Sequence, residues 1–386
     1  MKKRTSFPAM TAAIAVSLMA AATSGCSSQR QNPAPPASKT EQESIETSAS
    51  KTEQESIGTP APETEQESPE TPALEKEFSP LKLRIAYMPN MGSASAIIAA
   101  RDGGFFDEVG ITAELVQFQG GPAEIAAMAS GDIDISQIGH GAHALCIEGQ
   151  AQIFGLDLYG KSDEVIANRE KGIEKITDLA GKRVAVTAGT SSEIVLDMAL
   201  ESAGMSRDEL ELVEMDANGA VTAMISGNVD ACASWSPSTN IIRDRMGEKA
   251  VVLAGNADFF DRVAFPGSFI ATEGFGRENR EALVRFYAAI LKAMDYRKEN
   301  VEEVCRWLAK EIEADPEDIL ATKDNYEWLI AQDVRDSLDD GSLKRCYESQ
   351  QQVFLDSGRI SGKVEAEEYV MFSVMQEALD LYQELQ

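Results

Sequence analysis

Two nine-residue segments, 96 positions apart, repeat one pattern: Ala127-Met128-Ala129-Ser130-Gly131-Asp132-Ile133-Asp134-Ile135 returns as Ala223-Met224-Ile225-Ser226-Gly227-Asn228-Val229-Asp230-Ala231. Each reads as the end of a helix, a glycine turn and a strand. A second echo pairs Arg84-Ile85-Ala86-Tyr87 with Arg183-Val184-Ala185-Val186 at an offset of 99, and each strand runs into a small-residue turn and a helix. A chain that repeats such units is constrained to build two similar α/β lobes. Further apolar runs fit the same scheme: ITAELVQF, IDISQIG and QIFGLDLY in the first half, LELVEM, VDACAS and AVVLAG in the second. Strands alternating with helical stretches imply mostly parallel sheets flanked by helices. In open sheets of this kind ligands sit beyond the carboxyl ends of the strands, so two facing lobes define a cleft.

The residues that follow those strand ends are the candidate cleft lining. In the first lobe they are Asn90, Met91, Gly92 and Ser93, offering an amide, backbone N–H groups and a hydroxyl, together with Gly139, His140 and Gly141. In the second they are Thr190, Ser191, Ser192, Trp235 and Ser236. Gly139 and Trp235 occupy equivalent places in the echo, so one lobe leaves room where the other supplies an aromatic wall. After Ala271 the chain turns helical: Leu283, Phe286, Tyr287, Ile290 and Met294 recur in steps of three and four and mark scaffold.

The start of the helix at Thr190 carries backbone N–H groups without intrahelical acceptors, and the helix dipole favours negative charge there. An oxyanion fits such a site without Lys or Arg. The same Thr190-x-x-Glu193 spacing is also a capping box, in which both side chains close the helix end. Glu193 either caps locally or meets a cationic group of a zwitterionic ligand. His140 can donate a hydrogen bond to a ligand oxygen or simply begin a helix, and His143, one helical step on, is expected to make no ligand contact. With 2 His in the chain, a multi-His metal site is not expected, and no cofactor is called for. Cys146, Cys232, Cys305 and Cys346 fit buried free thiols as well as disulfides.

The amino terminus has a different character. Lys2, Lys3 and Arg4, an apolar run from Phe7 to Ala22 and then Thr-Ser-Gly-Cys read as an export signal over residues 1–25, too short and interrupted for a membrane span. The small residues before Cys26 resemble a bacterial lipobox, with Thr23 where Leu is usual, which implies a lipid on Cys26. Residues 26–79 then form a Ser/Thr/Glu/Pro-rich spacer with a 12-residue repeat, KTEQES at Lys39 and Lys51 and ETEQES at Glu63. Such a segment buries too little apolar surface to fold, and as a flexible coil it spans about 40 Å. It accounts for little of the formal net charge of −29, because residues 80–386 hold 53 Asp and Glu against 28 Lys and Arg. An acidic body without basic–aromatic clusters excludes nucleic acid as a partner.

Taken in order, GGFFDEVGI at Gly103, GGPAEIAAMASGDIDI at Gly120, DLAGKRVAVTAGTSSE at Asp178 and SGNVDACASWSP at Ser226 resemble the solute-binding proteins of ABC importers, in the branch that binds sulfonates, taurine and nitrate and also holds binders of a thiamine pyrimidine precursor. The resemblance runs from about Leu83 to Tyr369. It implies the two-lobe periplasmic-binding-protein fold, type II: lobe one over 80–165, lobe two over 166–265, and a return over 266–386 whose helices pack on lobe one. It implies a binding protein and not an enzyme, capture of a small oxyanion-bearing ligand by interlobe closure, Trp235 against the ligand, and delivery to a membrane permease with its ATPase. It places the protein outside the cytoplasm, on the outer face of the cell membrane through its lipid alone, and acting as a monomer. Ser236 stands where several sulfonate binders carry an acid, which weakens amine recognition at that position. The alternative ligand is a neutral heterocycle such as a pyrimidine stacked on Trp235, and the alternative class is an enzyme related to pyrimidine synthase.

Overall fold

A computed structural model describes residues 77–386. The export signal over 1–25, the Cys26 anchor and the spacer through residue 76 lie outside the described residues.

The echoed segments build two matching sheets. The first half of the chain supplies β1 (Leu81–Tyr87), α1 (Met91–Asp102), β2 (Ile111–Gln117), α2 (Gly121–Ala129), β3 (Ile135–Ile138) and β4 (Gln152–Gly160). The chain then supplies β5 (Glu164–Asn168), β6 (Arg183–Val186), α3 (Ser191–Ser202), β7 (Glu211–Glu214), α4 (Ala217–Ser226), β8 (Ala231–Ser234) and β9 (Ala250–Gly255). It returns through β10 (Pro266–Ala271), α5 (Arg280–Glu299), β11 (Tyr326–Trp328) and α6 (Ser342–Asp356). Sheet one runs β11-β4-β10-β3-β1-β2, and sheet two runs β7-β6-β8-β5-β9.

The repeat is carried into atomic detail. Ile85 pairs with Ile135 in lobe one, and its echo Val184 pairs with Ala231 in lobe two. Asp134 accepts the backbone N–H of Arg84 at 2.8 Å, while Asp230 accepts that of Arg183 at 3.0 Å. A carboxylate that ties the start of one parallel strand to its neighbour explains why Asp recurs in both copies. Gly131 and Gly227 both have left-handed φ values, +80° and +71°, which lets each helix turn directly into its strand.

The two-lobe α/β fold is the one the sequence leads to, but each sheet is mixed and not mostly parallel. β1 is parallel to β2 and β3, and β6 is parallel to β7 and β8, whereas β10 and β11 in sheet one and β5 in sheet two pair antiparallel with their neighbours. The physical reason is connectivity. β5 and β10 arrive from the other lobe, so they enter from the end opposite to the helix-connected strands. β5 and β11 come from segments that do not read as strands in the sequence.

The two crossovers, over 161–163 and 256–265, lie side by side. The Gly160 N–H donates to the Phe265 carbonyl at 2.8 Å, and the Asn256 N–H donates to the Asp163 carbonyl at 3.2 Å. On the far side of sheet one, α5 buries Leu283, Phe286, Tyr287, Ile290 and Met294, the face its periodicity predicts. Burying a side chain of this size contributes about 1.5–3 kcal/mol. Gly155 is needed here because a Cβ would come within 2.5 Å of the Tyr287 ring. Cys146, Cys232, Cys305 and Cys346 are free thiols. Among the described residues no helix is long and apolar enough to cross a membrane.

Candidate functional site

A cavity lies where the carboxyl ends of β1, β3 and β6 and the turn after β8 meet the two crossovers. It is small, about 80 Å³, room for roughly half a dozen waters at about 10–15 Å³ each. Met88, Leu158, Phe265, Trp235 and Tyr326 give it mostly apolar walls.

On lobe one, Asn90 caps α1: its side-chain carbonyl accepts the Ser93 N–H at 2.9 Å, and the Ser93 hydroxyl oxygen accepts the Met88 N–H at 2.9 Å. Capping satisfies the helix-end donors locally and leaves the Asn90 amide NH2 for the cavity it lines. Gly92 lies so close to Tyr326 that a Cβ would fall 2.3 Å from the ring, so the strand β11 seals this side only because residue 92 has no side chain. Gly139 and His140 also line the cavity. The His140 ring packs against Phe265 and Phe354, and its Nδ1 accepts from the Gln350 amide at 2.8 Å. Burial, with His143 and Arg359 nearby, holds its pKa well below the usual range, so it is neutral at pH 7. His143 is buried at the same Gln350 and its pKa is lowered by burial to about 4.

On lobe two, Gly189, Thr190, Ser191 and Trp235 line the cavity. The capping box suggested by Thr190-x-x-Glu193 does not form. The Thr190 hydroxyl donates back to the Thr187 carbonyl at 2.7 Å, and Glu193 accepts the Gly189 N–H at 2.7 Å. Glu193 does not face the cavity either. It is paired with Arg359 at 2.9 Å and with Arg207. Burial works to raise its pKa, but those guanidiniums and the Gly189 N–H outweigh it and hold the carboxyl below the usual glutamate range.

Four of the twelve residues expected at the site lie off the cavity wall. Met91 points into the core, with its sulfur 3.8 Å from Cys305 Sγ. Ser192 is buried in the first turn of α3, its hydroxyl 3.1 Å from the Thr190 hydroxyl. Ser236 is buried next to Trp235 in the turn after β8 and does not line the cavity. Gly141 is an interlobe contact: a Cβ there would lie 2.1 Å from the Thr190 carbonyl carbon and 2.5 Å from the Ser191 nitrogen. Lobe one therefore covers the start of α3.

Sequence reasoning missed Asp163, Gln137 and Tyr326, all of which line the cavity. Asp163 is the most consequential. It sits in the first crossover, accepts from the Ser191 hydroxyl at 2.6 Å and from the Asn256 amide at 3.0 Å, and is buried. Burial pushes its pKa up to about 6 against the pull of those two donors, leaving it mostly ionised at pH 7. Among the described residues lining the cavity there is no Lys or Arg, so this carboxylate has no counter-charge from them. A polar Lys161-Ser162-Asp163-Glu164 stretch just after the apolar QIFGLDLY run was the signal available in the sequence.

The lobes are also joined outside the cavity. Arg359, just beyond α6, reaches α3 and pairs with Glu193 at 2.9 Å and Asp197 at 2.8 Å, carboxylates that Arg207 of lobe two also holds. Asn218 donates to Gln119 at 3.2 Å across the opposite edge. Among the described residues, no group of three or more His, Cys, Asp or Glu side chains is placed to hold a metal ion.

Comparison with known proteins agrees with this architecture. A family model described as NMT1/THI5 like matches residues 92–304. A Brucella abortus relative described only as a binding protein is 30% identical over 291 residues, covering 75% of this chain and 90% of that protein. Among solved structures, the alkanesulfonate-binding protein SsuA from Xanthomonas axonopodis pv. citri, bound to MOPS, shares the fold with a TM-score of 0.59 at 19% identity, over 76% of this chain and 99% of that one. The desulfurization enzyme DszB shares it with a TM-score of 0.56 at 16% identity, over 78% of this chain and 99% of that one, so one fold hosts both binding and catalysis. With the family model spanning more than half its length, and the Brucella relative matching three quarters of it, the chain belongs to the NMT1/THI5-like family.

Proposed function

We propose that the protein is the extracytoplasmic solute receptor of an ABC importer, held to the outer face of the membrane by a lipid on Cys26, and that its solute is small and carries N–H donors. An amino-substituted single ring such as a pyrimidine is the ligand class that the cavity supports best. The receptor binds by interlobe closure, hands the solute to a membrane permease and leaves it chemically unchanged.

Asp163 carries the ligand class. A bound oxyanion about 4 Å from that carboxylate would meet a repulsion of about 4 kcal/mol at an effective dielectric constant of 20. The described residues of the walls include no Lys or Arg to offset it. An amino group instead gains a charge-assisted hydrogen bond, and Trp235 and Tyr326 supply aromatic faces for a ring. This reverses the order of ligands that the sequence suggests. A zwitterionic sulfonate such as taurine is the second reading. It is favoured by the first-turn N–H groups of α3 on the same wall, with its ammonium on Asp163. Against catalysis stands the Ser191 hydroxyl, which is committed to Asp163 and has no His within its hydrogen bonds.

A calorimetric panel tests the assignment: 4-amino-2-methylpyrimidine, taurine, methanesulfonate, nitrate and bicarbonate, each against the wild-type protein and Asp163→Asn. Binding of the amino-bearing solutes, weakened in Asp163→Asn, is expected. Tight binding of methanesulfonate or nitrate with no binding of either amine would sink it. Recovery of the bound solute unaltered is the expected result for a receptor, and a changed mass would make the protein an enzyme.

A further inference from the structure

Below the cavity lies an ion pair that is entirely out of water. Arg297 of α5 meets Asp157 of β4 at 2.9 Å, and neither side chain is exposed. Arg297 also donates to the Ser95 hydroxyl at 3.0 Å and to the Asp157 carbonyl at 3.3 Å, and its guanidinium stacks 4.5 Å from the centre of the Trp328 ring. Burying both charges costs desolvation that an apolar pair of the same volume would not incur. The pair therefore calls for a role, and Asp157 has one partner that reaches the cavity.

That partner is Gln137 of β3, whose amide nitrogen lies 3.2 Å from the second Asp157 oxygen and 3.3 Å from the Gly92 carbonyl. Both neighbours are acceptors, so both hydrogens of the NH2 group are committed. Turning the amide over would set its oxygen against a carboxylate and a carbonyl. Gly267 presses on the same nitrogen, since a Cβ there would come within 2.9 Å of it. We propose that Gln137 is a specificity-determining residue of the solute cavity, held by the buried Asp157–Arg297 pair so that it offers the solute its carbonyl oxygen and never its NH2.

The inference rests on the cavity being the solute site and deepens that reading. With Asp163 in the crossover and Gln137 on the floor of lobe one, the cavity presents two acceptors from separate elements. A solute that satisfies both carries two N–H groups, or one amino group whose hydrogens diverge. A solute with an acceptor at either place is rejected, because a site built to pair with a donor leaves its own buried group unpaired when the donor is missing.

The test uses the full chain and two probes of equal ring size, 4-amino-2-methylpyrimidine and 4-methoxy-2-methylpyrimidine, titrated by calorimetry. The wild-type protein is expected to prefer the amino probe. Gln137→Met keeps the side-chain length and removes the acceptor. It is expected to cut that preference about fivefold, the factor carried by one hydrogen bond of ordinary net strength. Asp157→Asn leaves Gln137 in place but frees its amide to turn, and is expected to narrow the preference as well, an effect that loss of packing alone does not produce. If Asp157→Asn fails to fold, Gln137→Met alone decides. An unchanged preference in Gln137→Met overturns this inference and leaves the Asp163 reading standing. Failure of both probes to bind the wild-type protein overturns the two together.

Discussion

Replacing Arg359 by Ala removes a cation that joins the carboxyl-terminal segment to α3 across the lobe boundary. Its side chain is 13% exposed, and the two carboxylates it holds, Glu193 and Asp197, are 5% and 9% exposed. Each hydrogen bond to a charged group is worth about 1.5–3 kcal/mol net. Arg207 stays in contact with both carboxylates and is 40% exposed, so part of the loss is made up by it and by water. A net shift of about 2 kcal/mol against the closed form follows, or about 30-fold in the closed-to-open ratio. Glu193 also accepts the Gly189 N–H beside the cavity, so the effect reaches the solute. Since the closed form is the one that binds, the apparent affinity drops by up to the same factor. Small-angle scattering of the ligand-free protein should report a larger radius of gyration in Arg359→Ala, and hydrogen exchange should quicken at the Gly189 amide. Arg359→Lys, which keeps the charge but not the two-carboxylate fork, should recover part of the loss. Unchanged scattering, exchange and affinity in Arg359→Ala would refute the reasoning and reduce this contact to surface decoration.

Three further outcomes are expected. Trp235→Ala weakens solute binding about tenfold or more through loss of an aromatic face, with its thermal transition retained; unchanged affinity removes Trp235 from the site. Labelled fatty acid should enter the protein in cells and vanish from Cys26→Ala, and persistent labelling of the variant moves the anchor elsewhere. The third concerns Asp163, whose folded pKa of about 6 lies above its ordinary value near 3.8. The folded protein holds this proton more tightly, so the carboxylate costs stability above pH 6, and that cost fades as the pH falls from about 6 towards 3.8. The stability of wild type relative to Asp163→Asn should therefore rise on acidification, by up to about 3 kcal/mol for a shift of about two pKa units. Chemical denaturation at pH 7 and pH 5 reads about 1.3 kcal/mol of that difference, and a fall on acidification contradicts the assigned burial.

The sequence exposes what is local and repeated. The two copies of helix, glycine and strand, with their recurring Asp, place the two sheets and the turns that end them. Asn90, Ser93, His140, Thr190, Ser191 and Trp235 are legible as cavity residues because each follows a strand end that the echo identifies. What stays hidden depends on distant partners. Asp163 becomes a site residue only because the second crossover brings Asn256 beside it, 93 residues away. Tyr326 arrives on a three-residue edge strand with no periodicity to betray it. Gln137 is a polar residue inside a strand whose four residues are all buried, and its role depends on Asp157, twenty residues further on. Glu193 could not be separated from a cap by spacing alone, since its two arginine partners lie 14 and 166 residues further on.

The acidic exterior and the Asp163 carboxylate on the cavity wall pose one question about the ligand, which mass spectrometry of small molecules released from the purified native protein answers. Recovery of a solute no larger than a single ring, carrying an amino group or another N–H donor, is the expected result. Recovery of nitrate, bicarbonate or an alkanesulfonate without an amine would contradict the assignment of Asp163 as the group that selects it.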